Sequence, residues 1–348
     1  MKTSFSAMRG KIKPKSMPLG GQDLVKLGRL QADRELPVLV QPARKDVDLY
    51  PWVANNRHTI ERILHTTGGI LFRDFDTLRD HGDFERFLQA AQIPPMKYME
   101  GATPRKKLAE GVFTSTEFPE DQIIAPHNEL SYVTTWPKRI VFMCEIASRT
   151  GGETPIADVR RVLDHIDPAV LAPFQAKGWL LVRNFGAGFG PDWHTSFNVD
   201  TREELEAYCE GAEVGFEWLP NGILRTRQVR PVVTRHPVTG EDLWFNHLVF
   251  WHLSSLRPHQ REVLEREFAP EDLPFNTYYG DGTPIPDEVI DHINEAYRKE
   301  TVAFPWQVGD LLLLDNMLIA HGRNAYTGDR RILATLGLPQ RRQDLAQV

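Results

Sequence analysis

The sequence predicts a mainly β protein, either a β-sandwich or a jelly roll, decorated by α-helices and folded around one large core. Three observations lead there. Short runs rich in Val, Ile, Leu and Phe recur along the whole chain, each bounded by Gly, Pro or Asp. Helical patterns fall between them at irregular intervals, so a repeating strand-helix-strand sheet does not fit. The chain has 348 residues, of which 41% are hydrophobic, enough to bury one large core.

In chain order, residues 1–35 are rich in Lys, Gly and Pro with little periodicity, and are expected to form a loose arm. One domain is expected over 36–342, since no repeat or low-complexity linker divides it. Strands are expected at Gly69–Phe75, Ile140–Ile146, Trp179–Phe185, Val229–Arg235, Leu243–Asn246, Leu311–Leu314 and Ile332–Leu338. Thr201 with Glu204 forms a capping-box pattern that opens a helix running to about Gly211. Pro258–Phe268 and Pro286–Glu300 are amphipathic and charged, and are expected as surface helices.

Composition excludes several classes of function. The formal net charge is −6, which argues against nucleic acid or an anionic membrane as the main partner. No run of 18 apolar residues is present, so no transmembrane helix is expected, and no apolar segment follows the basic N-terminal residues as a secretory signal would require. The two cysteines, Cys144 and Cys209, are too few for a zinc cluster or a disulfide framework. Both are expected to be reduced and buried, which fits a cytoplasmic protein.

Four short segments carry chemistry. In Pro126-His127-Asn128-Glu129, an H-x-E triplet in extended chain would put His127 and Glu129 on one side, because strand side chains repeat every two residues. Near the other end, four leucines (Leu311–Leu314) lead through Asp315-Asn316 to His321-Gly322-Arg323, placing a third ligand candidate at the rim of a buried run. Arg330-Arg331 then precedes the apolar Ile332-Leu333-Ala334, and an arginine entering a buried strand needs an anionic partner. Gly151-Gly152-Glu153-Thr154 reads as a tight turn presenting a hydroxyl. Two histidines and one carboxylate make the facial set of non-haem iron oxygenases, which leaves three coordination positions open.

The ordered set resembles the taurine dioxygenase / clavaminate synthase superfamily of Fe(II)- and 2-oxoglutarate-dependent oxygenases over about residues 36–340. Thr154 stands 27 positions after His127, matching the family's cosubstrate threonine, and Arg331, the second of the pair, matches its cosubstrate arginine. Glu129 in place of the commoner Asp is similar to the clavaminate synthase and asparagine oxygenase branch. The strings HNELSY, WFNH (Trp244–His247) and YYGDG (Tyr278–Gly282) are similar to aspartyl β-hydroxylases of the syringomycin type, which serve nonribosomal peptide assembly lines.

That resemblance implies a double-stranded β-helix (jelly roll) core and an iron held by His127, Glu129 and His321. It implies 2-oxoglutarate docked on Arg331 and Thr154, O2 as oxidant, and oxygenation rather than halogenation, since Glu129 fills the ligand position that halogenases leave open. Asn246, His247 and Tyr279 are candidate substrate contacts. Family members acting on free taurine or free amino acids carry a second arginine four residues after the cosubstrate arginine, where this chain has Thr335. The expected substrate is therefore an amino-acid-derived group with a masked carboxyl, carried on a peptidyl carrier protein, unless Arg225 or Arg227 supplies the clamp. The alternatives are an oxygenase of a free small amino acid or sulfonate, or a non-oxidative metal enzyme on the same fold.

Overall fold

The computed structural model describes residues 24–96, 100, 107–109, 112–114, 118–186, 188 and 190–345. Its centre is an eight-stranded sheet in the order Val25–Gln31, Arg34–Pro42, Gly69–Phe72, Leu311–Asp315, Thr135–Ile146, Arg331–Arg341, Val112–Thr114, Lys107–Ala109. All neighbours are antiparallel except Arg34–Pro42 beside Gly69–Phe72. A four-stranded sheet, Gly215–Trp218, Leu224–Arg230, Trp179–Phe185, Phe275–Tyr279, supplies a second layer. A three-stranded sheet, Ile124–His127, Ile319–Arg323, Ile156–Asp158, carries the two candidate histidine ligands.

Why the four leucines run together is visible in the packing. Successive side chains of a strand point to opposite faces, and here both faces are covered. Leu312 and Leu314 join Ile140, Phe142, Ile332 and Ala334 in the core shared with Trp179 and Leu181 of the second sheet. Leu311 and Leu313 join Val141, Met143 and Leu333 on the other face. That face packs under the helices Leu49–Asn55, Arg57–Thr67 and His81–Ala91 through Leu49, Trp52, Leu64, Phe84 and Phe87. A strand buried on both sides needs no polar alternation, so its sequence is continuous leucine.

Several boundaries differ from expectation. Residues 1–23 lie outside the described residues, but Val25–Gln31 is a strand paired with Arg34–Pro42, so the expected boundary at 35 falls inside a hairpin rather than at the end of an arm. The expected strand Val229–Arg235 divides into Leu224–Arg230 and Val233–Arg235 around Pro231, which cannot donate to a ladder. The helix Arg202–Gly211 opens on Thr201 with both capping-box bonds, as its sequence predicts. The helix Asp287–Glu300 buries Ile290, Ile293, Ala296 and Tyr297, which is its apolar stripe. Cys144 and Cys209 are free and buried. No helix among the described residues is long and apolar enough to cross a membrane.

Candidate metal centre

His127 and His321 are directly opposite one another on antiparallel strands, which brings their rings to a centroid separation of 4.5 Å. His321 therefore sits within a buried strand, Ile319–Arg323. The strand bearing His127 ends there, and Leu130 takes φ 55°, so Glu129 arrives by a turn and not by strand alternation. Asn316 holds that turn. Its Oδ1 accepts the Glu129 N–H at 2.8 Å, and its Nδ2 donates to the Glu129 carbonyl and to the Pro137 carbonyl, each at 2.9 Å. Asn128 Nδ2 returns a bond to the Asn316 carbonyl at 2.7 Å.

The result is a compact donor set. Glu129 Oε2 lies 3.7 Å from His127 Nε2 and 3.8 Å from His321 Nε2. One donor atom from each of these three buried residues lies within 4.8 Å of the others. Metal bonds to nitrogen and oxygen run to about 2.0–2.2 Å, so ligands sharing an ion sit up to roughly 4.4 Å apart, and the two measured separations satisfy this. His127 Nδ1 donates to the Ala125 carbonyl at 2.8 Å, which leaves the Nε2 lone pair for the ion. The donor set of two imidazoles and one carboxylate suits ferrous iron with open positions.

His247 lies against this centre, its ring 4.6 Å from that of His127 and 4.8 Å from Phe250. Nδ1 donates to the Asn128 carbonyl at 2.9 Å. Burial, and then the neighbouring His127, holds the imidazole well below its ordinary pKa, so it is neutral. Its buried Nε2 has no hydrogen-bond partner among the described residues and is an available acceptor.

The other expected residues divide. Thr154 is buried, and its Oγ1 accepts the Trp306 indole N–H at 3.2 Å. The next residue but one, Ile156, pairs with His321. Gly152 has φ 72°, and a Cβ there would come within 2.5 Å of Ser148 Oγ and 3.0 Å of Arg330 Cδ. This turn therefore needs its glycine, and it seats Arg330 against it: Arg330 Nε donates to the Gly152 carbonyl at 2.9 Å. Arg331, the residue expected to grip the cosubstrate, faces the other way. Its side chain is 52% exposed and its Nε pairs with Glu145 at 2.6 Å. Strand alternation explains the correction. Ile332 and Ala334 face the inner core, whose Phe142 ring is 5.3 Å from His321, and Arg330, one residue ahead of the strand, is held by its Nε bond to the Gly152 carbonyl. Arg331 shares the parity of Leu333, on the outer face. Burial, and then the nearby Arg323, draws the Arg330 guanidinium down to about 10. A bound carboxylate offsets such a cost.

Asn246 and Tyr279 are not brought to the centre. Asn246 donates to the Val232 carbonyl and accepts the Leu248 N–H, so both ends of its amide shape the chain. Tyr279 packs on Phe174 beside Trp179, the far end of the strand Trp179–Phe185 from the cavity. Thr335 is fully buried on the outer parity. A cavity of about 870 Å³ adjoins the centre through Ala125 and Phe250 and runs past Arg183 and Trp251 to a rim at Asp121 and Arg257. Sequence reasoning missed Asn316, whose signal is a polar pair directly after a leucine run.

The family described as taurine catabolism dioxygenase TauD, TfdA family matches residues 32–336. Dapdiamide synthesis protein DdaC of Enterobacter agglomerans is 40% identical over 281 residues, covering 81% of this chain and 85% of that protein. A clavaminate synthase-like protein of Arabidopsis thaliana is 29% identical over 301 residues, covering 82% and 86%. The PvcB protein of Pseudomonas aeruginosa shares the fold with a TM-score of 0.55 at 17% identity, over 93% of this chain and 94% of that one.

Proposed function

The chain belongs to the TauD, TfdA dioxygenase family, and from that premise we propose that it hydroxylates an unactivated C–H bond of an amino-acid-derived acyl group presented on a carrier protein, using Fe(II), 2-oxoglutarate and O2. The observation that carries the reading is the buried set of His127, Glu129 and His321, with the His127 ring 5.1 Å from Phe250, which lines a cavity of about 870 Å³. We read the two large sheets as the walls of a jelly roll within a single domain over 36–342. Ferrous iron, when bound, supplies the oxidising chemistry: one oxygen atom of O2 enters the substrate C–H bond and the other enters succinate as 2-oxoglutarate loses CO2.

The chain's own residues do the rest. The Ala125 carbonyl keeps the His127 ring in its ligating tautomer. Arg330, in place of Arg331, is positioned to pair with the far carboxylate of 2-oxoglutarate, and Thr154 adds a hydroxyl on the same wall. His247 Nε2 offers an acceptor to a substrate N–H or O–H. Phe250 and Trp251 line the approach and exclude water.

Two features support an extended, carboxyl-masked substrate. The cavity lies in the upper part of the roughly 300–1,000 Å³ range that houses drug-sized ligands, more room than one amino acid fills. Neither parity of the last strand provides a second arginine: Ala334 follows Arg330 by four positions and Thr335 follows Arg331 by four. Arg225 is tied to Asn184 at 2.8 Å and Asp272 at 2.6 Å, and Arg227 is exposed beside Glu217, so neither supplies the clamp.

The test is anaerobic addition of Fe(II) and 2-oxoglutarate, followed by air. A visible charge-transfer band before oxygen, and succinate release after it, are expected. Turnover of a substrate without O2, or a band that survives His127→Ala, would overturn the reading.

A further inference from the structure

His247 carries a buried hydrogen-bond acceptor with no partner among the described residues. The residue is 3% exposed, and its ring centre lies 4.6 Å from that of the ligand His127. The Asn128 carbonyl, 2.9 Å from Nδ1, can only accept. Nδ1 therefore holds the hydrogen of the neutral ring, and Nε2 is left with a lone pair. Leaving such an atom buried and unpaired costs stability unless a ligand supplies the hydrogen.

The groups packed on the ring do not supply it. Phe250, whose ring centre is 4.8 Å away, has no polar side-chain atom. Tyr132, at 5.0 Å, gives its hydroxyl hydrogen to the Glu100 carbonyl. Ser131 Oγ donates to the Asn128 carbonyl at 2.8 Å and approaches Nδ1, not Nε2. Trp251, at 6.2 Å, has an indole N–H that makes no bond to Nε2. His127 gives its Nδ1 hydrogen to the Ala125 carbonyl. Bulk solvent does not reach Nε2 either, and the large cavity is lined by Ala125, Phe250 and Trp251 but not by His247. What remains beside the ring is the metal centre, whose three ligands His127, Glu129 and His321 all lie close enough to act on the imidazole's charge.

We propose that His247 Nε2 anchors a water molecule on an open position of the metal, which makes His247 a positioning residue of the centre. The inference rests on the metal reading above and deepens it. His247 is not itself a fourth ligand, since the compact donor set comprises His127, Glu129 and His321. Three protein donors leave positions open to water. A water held on a cation by its oxygen presents its hydrogens outward, where a dry lone pair is the complementary acceptor. The ring then works at both nitrogens: Nδ1 holds the Asn128 carbonyl, in the turn between the ligands His127 and Glu129, and Nε2 holds the water. A substrate that displaces this water inherits the acceptor.

The experiment loads the full chain with Mn(II) alone, a redox-stable stand-in for ferrous iron. The residence time of water on the bound ion is read from the field dependence of solvent-proton relaxation. Two variants separate the ring nitrogens. An asparagine amide reproduces Nδ1 and lacks an acceptor at the Nε2 position, whereas a glutamine carbonyl reaches that position and gives up Nδ1. His247→Asn should shorten the residence time about fivefold, the change that about 1 kcal/mol for one hydrogen bond produces. His247→Gln should keep the wild-type residence time, even where Mn(II) affinity falls on the order of 10- to 100-fold as for other groups that orient ligands. Stoichiometric Mn(II) uptake shows that a variant is folded, and a variant that takes up none assigns the ring a structural role and counts against the proposal. Equal residence times in the wild type and His247→Asn, a shortening in His247→Gln as large as that in His247→Asn, or no exchangeable water on the wild-type ion would overturn it. Failure of the wild type to take up Mn(II) would count against the metal reading itself, and the proposal would fall with it.

Discussion

Asn316 bonds both sides of Glu129: its side-chain oxygen accepts the Glu129 N–H at 2.8 Å and its side-chain nitrogen donates to the Glu129 carbonyl at 2.9 Å. Asn316 follows the strand Leu311–Asp315 and precedes the one bearing His321, so one side chain registers the carboxylate ligand against the distal histidine. Asn316→Ala leaves the Glu129 N–H and the Glu129 and Pro137 carbonyls unpaired in a buried place. A loss of about 2–4 kcal/mol in stability is expected from such groups, and iron affinity should fall on the order of 10- to 100-fold, as for other groups that orient ligands. Urea unfolding and iron titration measure the two effects. Unchanged iron affinity would show that the turn holds Glu129 without Asn316.

The cosubstrate anchor separates the two adjacent arginines. Arg330 is seated on Gly152, and Arg331 pairs with Glu145 at the surface. Arg330→Ala should raise the 2-oxoglutarate KM by on the order of 10²-fold or more, because a charged pair in a closed site is worth roughly 2–5 kcal/mol. Arg331→Ala removes an exposed pair, worth about 0–1 kcal/mol, and should leave KM near that of the wild type. Steady-state succinate release settles the choice. The reverse pattern would restore Arg331.

That pair also marks where sequence reading stops. The ligand triad was legible because a metal needs particular residue types, and His127, Glu129 and His321 are those types in family order. Parity at the last strand was not. Alternation predicts which residues share a face but not which face is inside when both are apolar, and here both Leu333 and Ile332 are buried. The strands rich in β-branched and aromatic residues were found, and Trp179–Phe185 has the expected bounds. The hairpin at Val25–Pro42 was missed because its edge strand alternates weakly and stays partly exposed. Tyr279 was misplaced for a different reason: a polar tip near a strand end is equally common at both ends of a strand, and only the register with Trp179 shows which end this is.

Asp315, the neighbour of Asn316, should dominate part of the acid response. Burial raises its pKa, but Arg139 at 2.6 Å and His236 at 3.5 Å hold the carboxyl well below its ordinary value of 3.8. A depressed carboxylate contributes stability that is fully present above the unfolded value and lost as pH falls through the folded one. The wild type should therefore weaken progressively below pH 3.8. Asp315→Asn leaves Arg139 paired with Glu61 alone, so about 1.5–3 kcal/mol should be lost at neutral pH, and the acid dependence should flatten. Urea midpoints across the acid range test both. An equally steep acid limb in Asp315→Asn would assign it to another group.

The form in which the substrate arrives is the last prediction. A free α-amino acid brings a carboxylate beside the metal, and burying that charge without a partner is unfavourable. The inner face of the last strand offers Ala334 four positions after Arg330, and Arg225 and Arg227 are already engaged with Asp272 and Glu217. A thioester removes that charge and uses the length of a cavity of about 870 Å³ whose lining includes the exposed Asp121–Arg257 pair. Aspartate loaded on a peptidyl carrier should accordingly be turned over with kcat/KM at least on the order of 10²-fold above free aspartate, the ratio that about 2.7 kcal/mol of uncompensated charge burial produces. The comparison needs both forms at equal concentration, with product mass and succinate followed together, because succinate alone also counts turnover uncoupled from substrate. Equal efficiency for the free acid would sink the masked-carboxyl reading.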